Sequence, residues 1–283
     1  MSYKILTKKV LNPQIFLMEI EAPLVARRAE PGQFIVLRID EFGERVPFTI
    51  ADFDRERGTV TIIVQAVGKT TQELSKYEEG DLILDFAGPL GVPTELEGRK
   101  KVAVVGGGLG TAIAYPQAKK LHSMGADVTV ITGFRDKDLI ILEDELKAVS
   151  NKLIITTDDG SNGLQGFVTD RLKEQIEAGE KFDTVIAIGP LMMMRAVCNL
   201  TKEYDIPTVV SMNPVMIDGT GMCGGCRVIV DGQIKFACVD GPDFDGHKVD
   251  WQLALNRSQM FKKHETEAKE EHTCRMGRGN NNA

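Results

Sequence analysis

The chain has 283 residues, 42% hydrophobic and 27% charged, the composition of a globular protein long enough for two domains and a small third module. A net charge of −7 argues against nucleic acid or an anionic membrane as the main partner. The opening MSYKILTKKVL has no apolar signal core, and the longest apolar run, 102–114, is broken by four glycines, so neither a secretory signal nor a membrane span is expected and the chain reads as cytoplasmic.

Up to about residue 98 the pattern is β. Short alternating or apolar runs at 3–10, 15–20, 33–38, 59–67 and 82–86 are separated by Pro23, Pro31-Gly32, Arg57-Gly58 and Glu79-Gly80. Strands at this spacing predict a small antiparallel barrel, with one helical insertion at 69–77. RVPFTI (45–50) places Arg45 before a strand carrying Thr49, a pair that can clamp a phosphate and hydrogen-bond a ring edge; an ordinary surface arginine and strand is the plainer reading. VGKTTQEL (67–74) offers backbone N–H groups and two hydroxyls at a helix start, and AGPLG (87–91) reads as a turn.

The texture changes near 97–100. KVAVV, DVTVIT, KLIITT, FDTVIAIG and PTVVSM are β-branched runs with helical stretches between several of them, at 111–124, 142–149, 168–178 and 192–204. Buried strands alternating with helices predict a doubly wound parallel sheet. VAVVGGGLGTA (102–112) is a strand, a glycine turn and a helix start, where a pyrophosphate can sit against the backbone. The spacing of Gly106, Gly108 and Gly110 departs from the usual dinucleotide fingerprint, with Thr111 in the third glycine's place, and a tight turn without a ligand stays open. TDDGSNG (157–163) and IGPLMMM (188–194) also follow strands at the edge where such sheets bind ligands. GFRDKDL (133–139) puts Arg135 at the ribose-reading position, which leaves NAD against NADP open; Met192, Met193 and Met194 read as core or as a lid.

Residues 213–242 are rich in Gly and Cys and too few for a core of their own. Three of the five cysteines cluster there, and clustered thiols in a reducing compartment hold metal more often than disulfides. Cys223-x2-Cys226-x11-Cys238 reproduces the tail of the plant-type two-iron pattern, C-x4-C-x2-C…C. The position of its missing first cysteine, five residues before Cys223, is Asp218. Zinc and fortuitous thiols are the alternatives, although only one C-x2-C occurs; Asp240, Cys198 and Cys274 are rival fourth ligands. His122, His247, His264 and His272 have no ligand-like spacing and read as surface residues. A charged helix is predicted over 251–272, followed by a frayed tail.

The order of RVPFTI, VGKTT, AGPLG, VVGGGLGTA, IGP and CGGC…C resembles the ferredoxin-reductase-like flavoproteins that carry a two-iron cluster after the nucleotide domain, over about residues 1–245. Electron-transfer subunits of dihydroorotate dehydrogenases belong to this group. Asp218 in place of a cysteine and the continuation past the cluster look more like the small subunits of NADH-dependent reduced ferredoxin:NADP oxidoreductases, whose relatives are known as sulfide dehydrogenase subunits. The resemblance implies an FAD-binding β-barrel (1–98), an NAD(P)-binding α/β domain (99–212), a 2Fe-2S module (213–250) and a C-terminal helix and tail (251–283). It gives Arg45, Pro47, Phe48 and Thr49 to FAD, with Gly68, Thr70 and Thr71 at its pyrophosphate. It places Gly107, Gly108, Gly110 and Thr111 at the NAD(H) site with Arg135, Asp158 and Gly189 at the edges, and makes Asp218, Cys223, Cys226 and Cys238 the cluster ligands. It implies a heterodimer with a larger flavin and iron–sulfur subunit resembling a glutamate synthase small subunit, and ferredoxin reached through that complex. Electron-transfer subunits of a dihydroorotate dehydrogenase, a sulfide dehydrogenase or a hydrogenase, and a zinc-stabilised nucleotide-binding regulator, are the competing readings. No Ser/His/Asp set or carboxylate pair stands out as a catalytic centre.

Overall fold

A computed structural model describes residues 2–267. The N-terminal part contains β1 (Tyr3–Asn12), β2 (Ile15–Glu21), the short α1 (Pro23–Ala26), β3 (Phe34–Arg38), β4 (Val46–Thr49), β5 (Asp52–Asp54), β6 (Thr59–Gln65), α2 (Lys69–Leu74), β7 (Leu82–Ile83) and β8 (Asp85–Leu90). These strands pair antiparallel throughout, in one sheet ordered β5-β6-β2-β1-β7 and another ordered β4-β3-β8. Alternate residues point inward, so Ile5, Met18, Ile20 and Ile62 of the first sheet meet Ile35, Leu37 and Phe86 of the second in one buried core. Two expectations fail here. The run at 82–86 splits into β7 and β8, which belong to different sheets, and AGPLG lies largely within β8 instead of forming a turn. Pairing of β8 with β3 outweighs the Gly-Pro turn signal, and the bend falls at Gly91, where φ is +79°.

The second part follows the predicted alternation: β9 (Lys101–Gly107), α3 (Gly110–Ser123), β10 (Asp127–Phe134), α4 (Glu143–Ala148), β11 (Lys152–Thr157), α5 (Val168–Glu177), β12 (Thr184–Ile188), α6 (Leu191–Glu203) and β13 (Thr208–Ser211). The strands are parallel and ordered β11-β10-β9-β12-β13. Successive β9 side chains face opposite ways: Val102 and Val104 pack with Ala114, Ala118 and Leu121 of α3, whereas Ala103 and Val105 pack with Leu172 of α5 and Val197 of α6. Helices cover both faces, which is why these strands read as continuous apolar runs. No helix among the described residues is long and apolar enough to cross a membrane.

The last part forms the hairpin β14 (Arg227–Val230) and β15 (Gln233–Phe236), then β16 (Asp243–Asp245) and α7 (Trp251–Ser258). This segment leans on both larger parts. β16 extends the parallel sheet by pairing antiparallel with β13, while Met216, Cys226, Ala237 and Cys238 pack against Phe34 and Val36 of β3. The predicted helix over 251–272 is interrupted: α7 ends at Ser258 and helix resumes at 262–267. His272, Cys274 and the terminal tail lie outside the described residues. His247, expected as a plain surface residue, is half-buried with Nε2 2.9 Å from Thr201 Oγ1.

Asp243 ties the parts together. Its Oδ2 accepts a 2.5 Å hydrogen bond from Thr94 Oγ1 of the segment after β8, while its Oδ1 is sealed from solvent without a partner. Burial pushes this carboxyl up to about 6 from the ordinary 3.8, against the lowering effect of the Thr94 and Ser211 hydroxyls. Because the folded-state value lies above the unfolded one, its contribution to stability is full below about pH 4 and is lost as pH rises through about 6. Asp243→Asn should therefore flatten the stability profile across this window, removing a decline of up to about 3 kcal/mol. Urea unfolding of both proteins at pH 4.5 and 7.5 checks this, and parallel slopes would contradict it.

Candidate functional site

From β9 the chain turns to β10 on one side and later returns to β12 on the other, so the carboxyl end of β9 is a switch point where open α/β sheets bind ligands. Three glycines there serve different ends. A Cβ on Gly110 would overlap the carbonyl oxygen of Ile188, so this glycine lets α3 start against the end of β12. A Cβ on Gly107 would overlap Met193 Sδ. Gly108 has φ +54°, and nothing lies within 4 Å of where its Cβ would be. Packing therefore accounts for Gly107 and Gly110, whereas Gly108 presents bare backbone to open space.

That space is a cleft of about 1020 Å³. Pro47, Phe48 and Thr49 of β4, with Ala51 and Ile63, form one wall; Gly107, Gly108 and Gly110, with Arg135, Asp158 and Gly189, form the other. Met192 and Met193 line it as well, while Met194 is fully buried. Asp158 is the member of TDDGSNG that reaches the cleft with its side of the turn; Asp159 Oδ1 instead accepts from Ser161 N at 2.9 Å, and Thr157 Oγ1 donates to Asn162 at 2.9 Å.

The remaining sequence candidates stand apart from the cleft lining. Thr111 is fully buried, and its hydroxyl has no partner and packs beneath Gly106. Arg45 is exposed and outside the lining; the α2 candidates also lie outside it, with Thr70 buried and Gly68 and Thr71 half-buried: Thr71 Oγ1 accepts from Gly68 N at 2.9 Å, and Thr70 Oγ1 donates to Glu44 at 2.8 Å. Phe134, Phe167, Ser211 and Asn213 also line the cleft and escaped the sequence reading. Only tertiary packing brings them there; Phe167, at the start of α5, carries no motif.

The cysteine loop brings two of its donors together. Cys226 and Cys238 are buried with their Sγ atoms 3.3 Å apart, close enough to share one metal ion. Asp218 and Cys223 are tied to the loop backbone: Asp218 Oδ1 accepts from Thr220 N at 2.8 Å and Oδ2 from Cys223 N at 2.9 Å, and Cys223 Sγ accepts from Gly225 N at 3.4 Å. The N–H of Thr220, then those around Cys223, hold the Asp218 carboxyl below the usual carboxylate range. Such an ionised carboxylate keeps lone pairs free for a metal. Burial, with Cys226 beside it, pushes the Cys238 thiol up to about 12, against the lowering effect of the Gly221 N–H. Among the described residues no three His, Cys, Asp or Glu side chains converge on one ion-sized point.

Two of the rivals for fourth ligand, Asp240 and Cys198, lie among the described residues. Asp240 Oδ2 accepts from Phe236 N at 2.7 Å. Cys198 packs in the core beside Gly246, where burial pushes its thiol up to about 12.

Residues 213–250 match the iron–sulfur cluster binding domain of dihydroorotate dehydrogenase B. A Thermotoga maritima homologue of the dihydroorotate dehydrogenase B (NAD(+)) electron transfer subunit is 47% identical, over 93% of this chain and 92% of its own. The chain belongs to this family of electron-transfer subunits. An uncharacterized Clostridium beijerinckii protein encoded in the adh 3′ region is 53% identical over 94% of this chain and 93% of its own. The solved structure of an NADH-dependent reduced ferredoxin-NADP oxidoreductase, studied for flavin-based electron bifurcation, matches with a TM-score of 0.89 and 46% identity, over 95% of this chain and 96% of that one. The fold of this family member is thus ferredoxin-reductase-like, with an iron–sulfur binding segment at its C-terminal side.

Gly108 and Gly110 should respond differently to a methyl group. Gly110→Ala must displace the Ile188 carbonyl and should cost about 1–3 kcal/mol. Gly108→Ala meets no atom and should cost only the left-handed backbone penalty, about 1–2 kcal/mol, while placing the methyl in the cleft. Chemical denaturation paired with nucleotide titration separates them: Gly108→Ala should lose more binding than stability.

Proposed function

We propose that this chain is the electron-transfer subunit of a bifurcating transhydrogenase, passing electrons between a two-iron cluster, FAD and NAD(H). The complex would couple NADPH oxidation to reduction of ferredoxin and NAD⁺, reversibly. The observation that carries this reading is the Cys226–Cys238 sulfur pair with the Asp218 carboxylate held on the N–H of Cys223 in the same loop, since a binuclear cluster takes two protein donors on each iron. When bound, a flavin exchanges a hydride with a nicotinamide and single electrons with an iron–sulfur centre.

The chain's own residues would then position and insulate these groups. Pro47, Phe48 and Thr49 would face the flavin ring, and Arg45, Gly68, Thr70 and Thr71 would serve its phosphates, the two threonines once their present hydrogen bonds rearrange. Gly107, Gly108 and Gly110 would let a nicotinamide nucleotide approach the end of β9, with Thr111 stabilising the turn from beneath and Arg135, Asp158 and Gly189 at the edges. In this reading residues 1–98 form the flavin unit, 99–212 the nucleotide unit, 213–250 the cluster unit and 251–283 the C-terminal extension. Asp218, being a harder donor than a thiolate, would set the cluster apart from a four-cysteine one.

A heterodimer with a larger flavin and iron–sulfur subunit, like a glutamate synthase small subunit, is part of the proposal. Exposed Ile217 and Met222 on the loop support a covering partner there. A dihydroorotate dehydrogenase electron-transfer subunit is the second reading, favoured by the family match over residues 213–250. The carboxylate at Asp218 distinguishes the two.

Asp218→Cys should keep a two-iron cluster and shift its potential, whereas Asp218→Ala should lose most of the bound iron. Iron analysis and EPR of the reduced proteins check this. Unchanged iron content and an unchanged signal in Asp218→Ala would remove Asp218 from the ligand set. Co-purification from the native source, with cofactor analysis, tests the partner.

A further inference from the structure

The motif reading stops at Cys238, and the family match ends at residue 250, just before α7. That helix is fixed firmly against the cluster segment. Asp250 caps it, with Oδ1 accepting from Leu253 N at 2.9 Å, and donates its own N–H to Ile229 O of β14 at 2.9 Å. Trp251 donates its ring N–H to Gly246 O at 3.0 Å, and Trp251 and Ala254 pack with Val228 and Val230 of β14. β14 directly follows Cys226, so the helix is referenced to the loop by a rigid strand.

Near its C-terminal end, α7 turns Arg257 back onto that loop. Its Nη2 donates to the carbonyl of Gly225 at 2.9 Å, and its Nε–H is buried without an acceptor. Gly225 lies between Cys223 and Cys226, and its N–H donates to Cys223 Sγ at 3.4 Å. The two peptide groups flanking Gly225 are therefore held from opposite sides, one by a thiol sulfur and one by a guanidinium. A charge-assisted bond to a carbonyl is stronger than a neutral one and polarises the N–H on the far side of that peptide, here that of Cys226.

We propose that Arg257 is a positioning residue for the CGGC loop, ordering the loop before metal enters and lending positive charge that favours the reduced cluster. The proposal rests on the reading that the loop binds an iron–sulfur cluster, since cluster potentials follow local charge and hydrogen bonding. An exposed-face neighbour on the same helix, Gln252, provides the control.

The test compares wild type with Arg257→Gln, Arg257→Lys and Gln252→Ala in the full chain. In apo protein, hydrogen exchange over the loop at 219–226 should quicken about tenfold in Arg257→Gln. In loaded protein, an EPR-monitored redox titration should move to a more negative potential in Arg257→Gln and return toward wild type in Arg257→Lys. Gln252→Ala should change neither reading. Wild-type loop exchange and potential in Arg257→Gln would overturn the proposal. If Arg257→Gln fails to fold, Arg257→Lys decides: faster loop exchange at an unshifted potential supports it, and wild-type exchange overturns it. A wild-type protein without bound iron after reconstitution would instead refute the cluster reading, leaving the exchange comparison to test the loop-ordering role.

Discussion

The cysteine segment is too small to bury a core of its own, and this constraint organises the molecule. Its apolar residues find burial on both larger parts: Met216, Cys226, Ala237 and Cys238 against Phe34 and Val36 of β3, and Val228, Val230 and Val249 in the core with Val197 and Val210. Its backbone joins the edge of the parallel sheet through β16 on β13. A segment held on two sides also holds those sides together. Val92 N donates to Gly241 O at 2.6 Å and Thr94 donates to Asp243, so the linker between the larger parts is itself anchored to the segment. The cleft between β4 and the glycine turn keeps its width because these contacts fix both walls.

Periodicity made the parallel sheet legible. Runs such as KVAVV bury both faces, and their boundaries agree with the structure to within a residue or two. The antiparallel part was legible in its strands but not in their partition: nothing in DLILDFAGPLG says that its halves belong to different sheets, because that depends on pairing with β1 and β3. Spacing put Asp218 at the missing ligand's position, and the structure sets its carboxylate on the N–H of Cys223. Arg257 was invisible by contrast, since it lies 31 residues beyond Cys226 and a helix alone returns it to the loop.

The glycine turn shows how a structural and a functional reading can both hold. Gly110 is required by the end of β12 whether or not a ligand binds, while Gly108 has no packing reason to lack a side chain. The same division applies to the threonines. Thr70 and Thr71 stabilise the start of α2 through Glu44 and Gly68, so any phosphate they receive must compete with bonds already made. The cleft wall of Pro47, Phe48 and Thr49 carries no such competition.

In the proposed function Asp218, Cys223, Cys226 and Cys238 would hold a binuclear iron centre. Mössbauer spectroscopy of the iron-57-enriched, oxidised protein tests it most directly. The account predicts two ferric sites in equal amounts with distinguishable quadrupole splittings, one bound by Asp218 and Cys223 and the other by Cys226 and Cys238. A single spectroscopic environment shared by both irons, a four-iron signature, or a protein that retains zinc and no iron would contradict it.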